Sequence, residues 1–244
     1  MSIYTCFDMI ADCKADKSEG WAHLVKTFVP VLRGYAAHYG MGDEWPRRRL
    51  GELRSEISGW EPMTEREVAV RLRPEIEGGS TTVPLEALNE MTIVEKELVW
   101  FETMQYDAAH AARMMRVTGE TAQRARDLAE DLLRANMDDW HRGMLREQGA
   151  ALGREVRSQK PAEPLTFRQL IEVIDGRLTW QARVPVERAL ESSWYEIDHF
   201  CRIREADDVV GSAKSLSDEE AAPFLDLLGV ERKKASLWRK VFAS

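Results

Sequence analysis

The 244 residues are 44% hydrophobic and 31% charged, a globular composition that excludes a disordered chain and suffices for one large or two small cores. A net charge of −8 opposes phosphate contact, so any nucleic-acid binding must come from a local basic face. No apolar run has the length of a membrane span, and Asp8, Asp12 and Lys14 interrupt the N-terminal stretch where a secretory signal would be apolar. Cys6, Cys13 and Cys201 lack metal-like or redox-pair spacing and read as reduced thiols of a cytoplasmic protein.

Along the chain, Trp21, Leu24, Val25, Phe28, Leu32, Tyr35 and Ala36 predict a helix over 21–39, interrupted at Pro30 and ended by Gly40, Gly42 and Pro46. A charged helix is expected over 47–58. Thr64-x-x-Glu67 is a capping box for another that stops before Pro74. Glu77 to Pro84, with Gly78-Gly79-Ser80, is a linker. Thr92-x-x-Glu95 opens a helix bearing Leu98, Val99, Phe101 and Met104. Two more helices follow, the second continuing towards Arg157. Ser158 to Pro164 is a second linker. Thr166-x-x-Gln169 then caps a helix that ends at Asp175-Gly176, and one long helix carries Val186, Leu190, Trp194, Ile197, Cys201 and Ile203. Ser217-x-x-Glu220 opens a short helix closing at Gly229. A final basic helix holds Leu237, Trp238, Val241 and Phe242 beside Arg232, Lys233, Lys234, Arg239 and Lys240. With no alternating strand pattern, the expected fold class is all-α, in multi-helix bundle blocks over 1–76, 84–157 and 165–244.

The most informative segment is Tyr106 to Ala135, YDAAHAARMMRVTGETAQRARDLAEDLLRA, two helices across a very short turn. Such a helix-turn-helix can place its second helix in the DNA major groove while the first crosses the backbone. Ala112 is small enough for close packing, Met114 and Met115 fill the space between the helices, Val117 is the apolar turn residue, and the Thr118 hydroxyl caps the second helix. In that geometry Arg113 and Arg116 lie near phosphates, Gln123, Arg124 and Asp127 lie towards the groove, and Arg126 adds a contact.

From Leu85 to Leu133 the chain resembles the promoter-reading C-terminal domain of bacterial sigma factors, a leading helix followed by a helix-turn-helix ending in an Arg-rich helix. Leu88, Glu95, Leu98, Ala112, Met115, Val117, Thr121 and Arg126 match its pattern. Residues 21–40, WAHLVKTFVPVLRGYAAHYG, resemble the opening helix of the sigma domain that binds core polymerase. Two departures stand out. Arg116 occupies a turn position where the family commonly has Gly, at a cost of about 1 kcal/mol if the backbone is left-handed. The acidic, aromatic promoter-melting helix is missing after residue 40, where PRRRLGELRSEISGW stands instead. Farther on, IDGRLTWQARVPVERALESSWYEIDHFC resembles the core of the zinc anti-sigma family through Asp175-Gly176-Arg177-Leu178. The family's His and Cys-x-x-Cys are absent from Ala189 to Glu196, so the resemblance implies a zinc-free module.

These observations lead to the expectation of a sigma-like transcription regulator that contacts promoter DNA, the RNA polymerase core, or both. Arg113, Arg116, Gln123, Arg124 and Arg126 are its candidate contacts. A protein-interaction or sequestering module on a degenerate sigma scaffold, partnered with another regulatory protein, is the alternative, favoured by the acidic balance and the missing melting helix. Arg47-Arg48-Arg49 reads as a solvated charged face, and His199-x-Cys201 and the Trp194, Tyr195 and Phe200 cluster read as core. No carboxylate pair, nucleophile or Gly-rich loop has an enzyme's arrangement, and neither a cofactor, a metal nor a membrane partner is expected.

Overall fold

The computed structural model describes residues 4–76 and 80–230, so the predicted final helix and Gly78-Gly79 lie outside the described residues. Among the described residues there is no strand, and thirteen α-helices succeed one another. They are α1 (Cys6–Lys14), α2 (Ser18–His38), α3 (Glu44–Glu56), α4 (Glu65–Leu72), α5 (Ile93–Thr103), α6 (Ala108–Met115) and α7 (Gly119–Asn136). After these come α8 (Asp139–Glu147), α9 (Gly149–Ser158), α10 (Phe167–Ile174), α11 (Trp180–Ser192), α12 (Trp194–Ser212) and α13 (Asp218–Leu227). None of these helices is long and apolar enough to cross a membrane. The chain divides into two compact units, Met1–Pro74 with Val209–Ser244, and Glu75–Asp208. The boundary between Asp208 and Val209 falls inside α12.

In the first unit α1 and α2 approach so closely that a Cβ on Gly20 would lie 2.6 Å from the backbone nitrogen of Cys13. Met9, Ile10, Leu24, Val25, Phe28, Val29 and Leu32 form an apolar core, each such side chain contributing about 1.5–3 kcal/mol by burial. The helix does not break at Pro30 as the sequence leads one to expect. Proline removes the donor that would pair with the Lys26 carbonyl, and the backbone N–H of Leu216 takes its place at 3.0 Å. Similarly, α3 begins three residues ahead of its expected start at 47 and holds Pro46 in its first turn, where a helix has no use for that N–H. The Tyr35 hydroxyl donates to the Ala69 carbonyl at 3.1 Å and ties α2 to the end of α4.

The second unit is built around α5, which is buried almost all round. Its buried residues include Glu95, Lys96 and Glu97 as well as Leu98, Val99, Trp100 and Phe101. All four predicted capping boxes, at Thr64, Thr92, Thr166 and Ser217, form with both reciprocal hydrogen bonds. Two expected continuous helices are broken. Beyond Asn136, Asp138 accepts from the His141 N–H and starts α8, so the second helix of the pair ends well short of Arg157. The helix expected through Val186 and Cys201 is split by Ser193, which is extended (φ −134°, ψ 117°) and separates α11 from α12.

Candidate functional site

Helices α6 and α7 are joined by Arg116, Val117 and Thr118 alone. Asp107 accepts from the His110 N–H to cap α6, and Thr118 accepts from the Thr121 N–H at 3.1 Å to cap α7. Arg116 takes the left-handed conformation, φ 58° and ψ 37°, at the position where a glycine would carry no Cβ penalty. Ala112, Met114 and Met115 are buried as expected and Val117 is half-buried. One stripe of α7, Ala122, Ala125, Ala129 and Leu133, is buried, and the small side chains let the helix lie close against its neighbours α5 and α6. The opposite face is open to solvent along the helix.

That open face is acidic. Glu120, Asp127, Glu130 and Asp131 are exposed on it, against Arg124 and Arg134, and Leu128 adds an exposed apolar side chain. Arg134 already pairs with Glu130 at 2.9 Å and Asp131 at 3.6 Å. Gln123 donates its side-chain amide to Asp127 at 2.9 Å. Arg124 is exposed, and no ion pair or hydrogen bond holds its side chain among the described residues.

The other candidate arginines face carboxylates of their own unit. Arg113 makes a bidentate contact with Asp208 on α12, Nε to Oδ1 at 3.0 Å and Nη2 to Oδ2 at 3.2 Å, and His110 Nε2 reaches the same Oδ2 at 2.9 Å. Burial acts to raise the Asp208 carboxyl, but Arg113 and His110 outweigh it and hold the group below the usual carboxylate range. Arg116 pairs with Asp207 at 3.3 Å and donates to the carbonyl of Ile174, the last residue of α10, at 3.2 Å. A guanidinium there meets the negative end of the α10 dipole. Arg126 pairs with Glu102 on α5 at 3.1 Å. Thus the structure brings Arg113 and Arg116 together on α12, sets Arg126 against α5, and leaves Gln123 and Arg124 on the outer face of α7.

Behind these contacts lies a buried polar seam between α5 and α12. Trp100 donates its indole N–H to Asp198 at 3.1 Å, and the Tyr106 hydroxyl donates to Glu205 at 2.6 Å. Lys96, fully buried, donates to the Glu191 carbonyl, and burial lowers its pKa. Arg204 donates to the Met114 carbonyl at 3.2 Å, so α6 is held by its last turn as well. Its Nε also lies 2.6 Å from Glu97 Oε2, although that approach lacks hydrogen-bond alignment. Complete burial pushes the Glu97 carboxyl up to about 7, against the pull of Arg204. Sequence reading missed Asp207, Asp208, Arg204 and Glu205. The available signal was two nearby arginines, Arg113 in α6 and Arg116 in the turn, which ask for an acidic counterpart without saying where it lies.

Cys201 is buried and His199 half-buried, and burial lowers the imidazole and raises the thiol. Among the described residues no set of three or more His, Cys, Asp or Glu side chains is arranged to hold a metal ion. No family model matches this chain, and no curated protein or solved structure matches it either.

Proposed function

We propose that this chain is a sigma-like regulatory protein whose helix-turn-helix, α6 and α7, is kept refractory to DNA in the described form. The arrangement of Arg113 and Arg116 against Asp208 and Asp207 is the observation that carries this reading. Phosphate contact supplies most of the affinity of a duplex-binding protein, and here the two guanidiniums expected at phosphates already face carboxylates. The three-residue turn, the Thr118 cap and the one-sided burial of α7 support the helix-turn-helix part of the reading. In this form the accessible partner is protein, the polymerase core or another regulator, and duplex DNA is reached only weakly through Arg124. The reading assigns no catalytic chemistry.

A labelled mixed-sequence duplex titrated with the full chain tests the reading, alongside co-sedimentation with RNA polymerase core. We expect duplex affinity no better than the non-specific range of about 10⁻⁴–10⁻⁶ M at physiological salt, together with retention by the core enzyme. Nanomolar duplex binding by the unmodified chain would remove the refractory state. Loss of both duplex and core binding would remove the sigma-like assignment.

The alternative, an interaction module with no remaining DNA contact, is favoured by one observation. The exposed face of α7 carries four carboxylates, Glu120, Asp127, Glu130 and Asp131, against two guanidiniums. It differs from the first reading in expecting no variant of the chain to gain duplex affinity.

A further inference from the structure

We infer that the adjacent carboxylates of Asp207 and Asp208 are a built-in phosphate mimic, an autoinhibitory contact that occupies the basic face of α6 and its turn until a competing anion displaces it. This rests on the proposed reading of α6 and α7 and adds what holds them closed. Three observations carry it, each separate from the sequence resemblance.

The first is geometric. Arg113 meets Asp208 with the two-pronged guanidinium geometry that also suits a phosphate, and His110 brings a further ring nitrogen to the same carboxylate. The second is the strain at Arg116. A left-handed backbone disfavours a side chain with a Cβ, yet the residue placed there is long and charged. Its guanidinium reaches both the α10 C-terminus and Asp207, which a glycine could not do. The turn therefore gives up backbone ease for a contact with the segment that closes it.

The third observation concerns strength. Arg113 and Arg116 remain 62% and 54% exposed at their side chains, whereas Asp208 and Asp207 are 19% and 15% exposed. Such partly solvated pairs are weak, screened by salt and open to competition. The carboxylates are fixed by α12 while the guanidiniums keep access to solvent, so the arginines can change partner without moving the helix that masks them. The same exposure leaves a phosphate a path to both guanidiniums. The contact is a soft gate, and the buried charges of the α5–α12 seam provide the rigid mount behind it.

The test compares duplex affinity at about 50 mM salt for the full chain, the Asp207→Asn/Asp208→Asn variant and a charge control, Glu155→Gln/Glu163→Gln. The control removes the same charge from exposed positions elsewhere in the unit. We expect the aspartate variant to bind about tenfold more tightly than the control. Its log–log salt slope should steepen by roughly two for the two released arginines. Adding Arg113→Ala/Arg116→Ala in that background should return both quantities to those of the unmodified chain. Equal affinity and slope in the aspartate variant and the control overturn the inference, and so does a gain that survives loss of both arginines. If the double aspartate variant fails to fold, Asp208→Asn alone, which leaves the Arg116 contacts in place, is expected to show about a threefold gain, and no gain overturns the inference. Polymerase-core retention separates the two claims: retention without any duplex gain sinks the gate alone, and loss of both sinks the function it rests on.

Discussion

The two units bury different chemistry. The first closes around Met9, Ile10, Leu24, Val25, Phe28 and Leu32. The second buries Lys96 and Glu97 on α5 and Glu196, Asp198, Arg202 and Glu205 on α12. Apolar burial stabilises at any pH. A buried ion pair must recover a large desolvation cost through geometry, and often returns little net stability while specifying which surfaces meet. The first unit is therefore stabilised chiefly by apolar burial, and in the second the buried charges specify how α5 and α12 meet.

The largest expected effect would break that contrast from the apolar side. Phe28→Ala removes a fully buried ring from α2 and should cost about 3–5 kcal/mol in denaturant unfolding of the first unit. The loss should be the same at pH 5 and pH 8. A cost below about 1 kcal/mol would mean that this core is not the source of the unit's stability.

The next prediction takes the polar side. Burial raises Glu97 from the ordinary 4.5 to about 7, so between those values the native state holds a proton that the unfolded chain releases. The stabilisation is complete below about pH 4.5 and is lost as pH rises through 7. Its size is about 3 kcal/mol from 1.36 kcal/mol per pKa unit. Hydrogen exchange of the α5 amides should accelerate over that window beyond the intrinsic rate, and Glu97→Gln should flatten the excess. A pH-independent opening free energy in the unmodified chain would count against a Glu97 carboxyl raised by burial.

Two smaller effects sharpen the distinction between contacts of the proposed gate and contacts on open surface. Arg116→Ala and Arg116→Gly lose the same side-chain bonds, but only glycine relieves the left-handed backbone. The alanine variant should be less stable than the glycine variant by about 1 kcal/mol in thermal unfolding, and equal melting would remove the strain argument. Arg134→Ala breaks only the exposed pairs with Glu130 and Asp131 and should change stability by less than about 0.5 kcal/mol. A larger loss would show that the outer face of α7 is more ordered than its exposure implies.

What could be read from the sequence was local. The boxes at Thr64, Thr92, Thr166 and Ser217 announce helix starts because their hydrogen bonds span three residues, and each forms as expected. The Ala112, Met115 and Val117 packing and the Thr118 cap are likewise written within a single turn of chain. The continuity of α2 through Pro30 was hidden because its rescue comes from Leu216, far along the sequence. The breaks at Asp138 and Ser193 were hidden because helical apolar spacing runs on across them. The state of the candidate contacts was hidden for the same reason as Pro30. Arg113 and Asp208 are 95 positions apart, and no periodicity links them.

The measurement that reaches the central claim most directly is a carboxyl NMR titration of Asp208 in the full chain and in a His110→Ala/Arg113→Ala variant. In the unmodified chain the carboxyl should titrate below the usual Asp range, because its two cationic partners outweigh burial. Removing them leaves burial dominant, so its pKa should move upward in the variant. An Asp208 that titrates identically in both chains would mean that Arg113 and His110 do not meet it, and that this carboxylate does not occupy the basic face of α6.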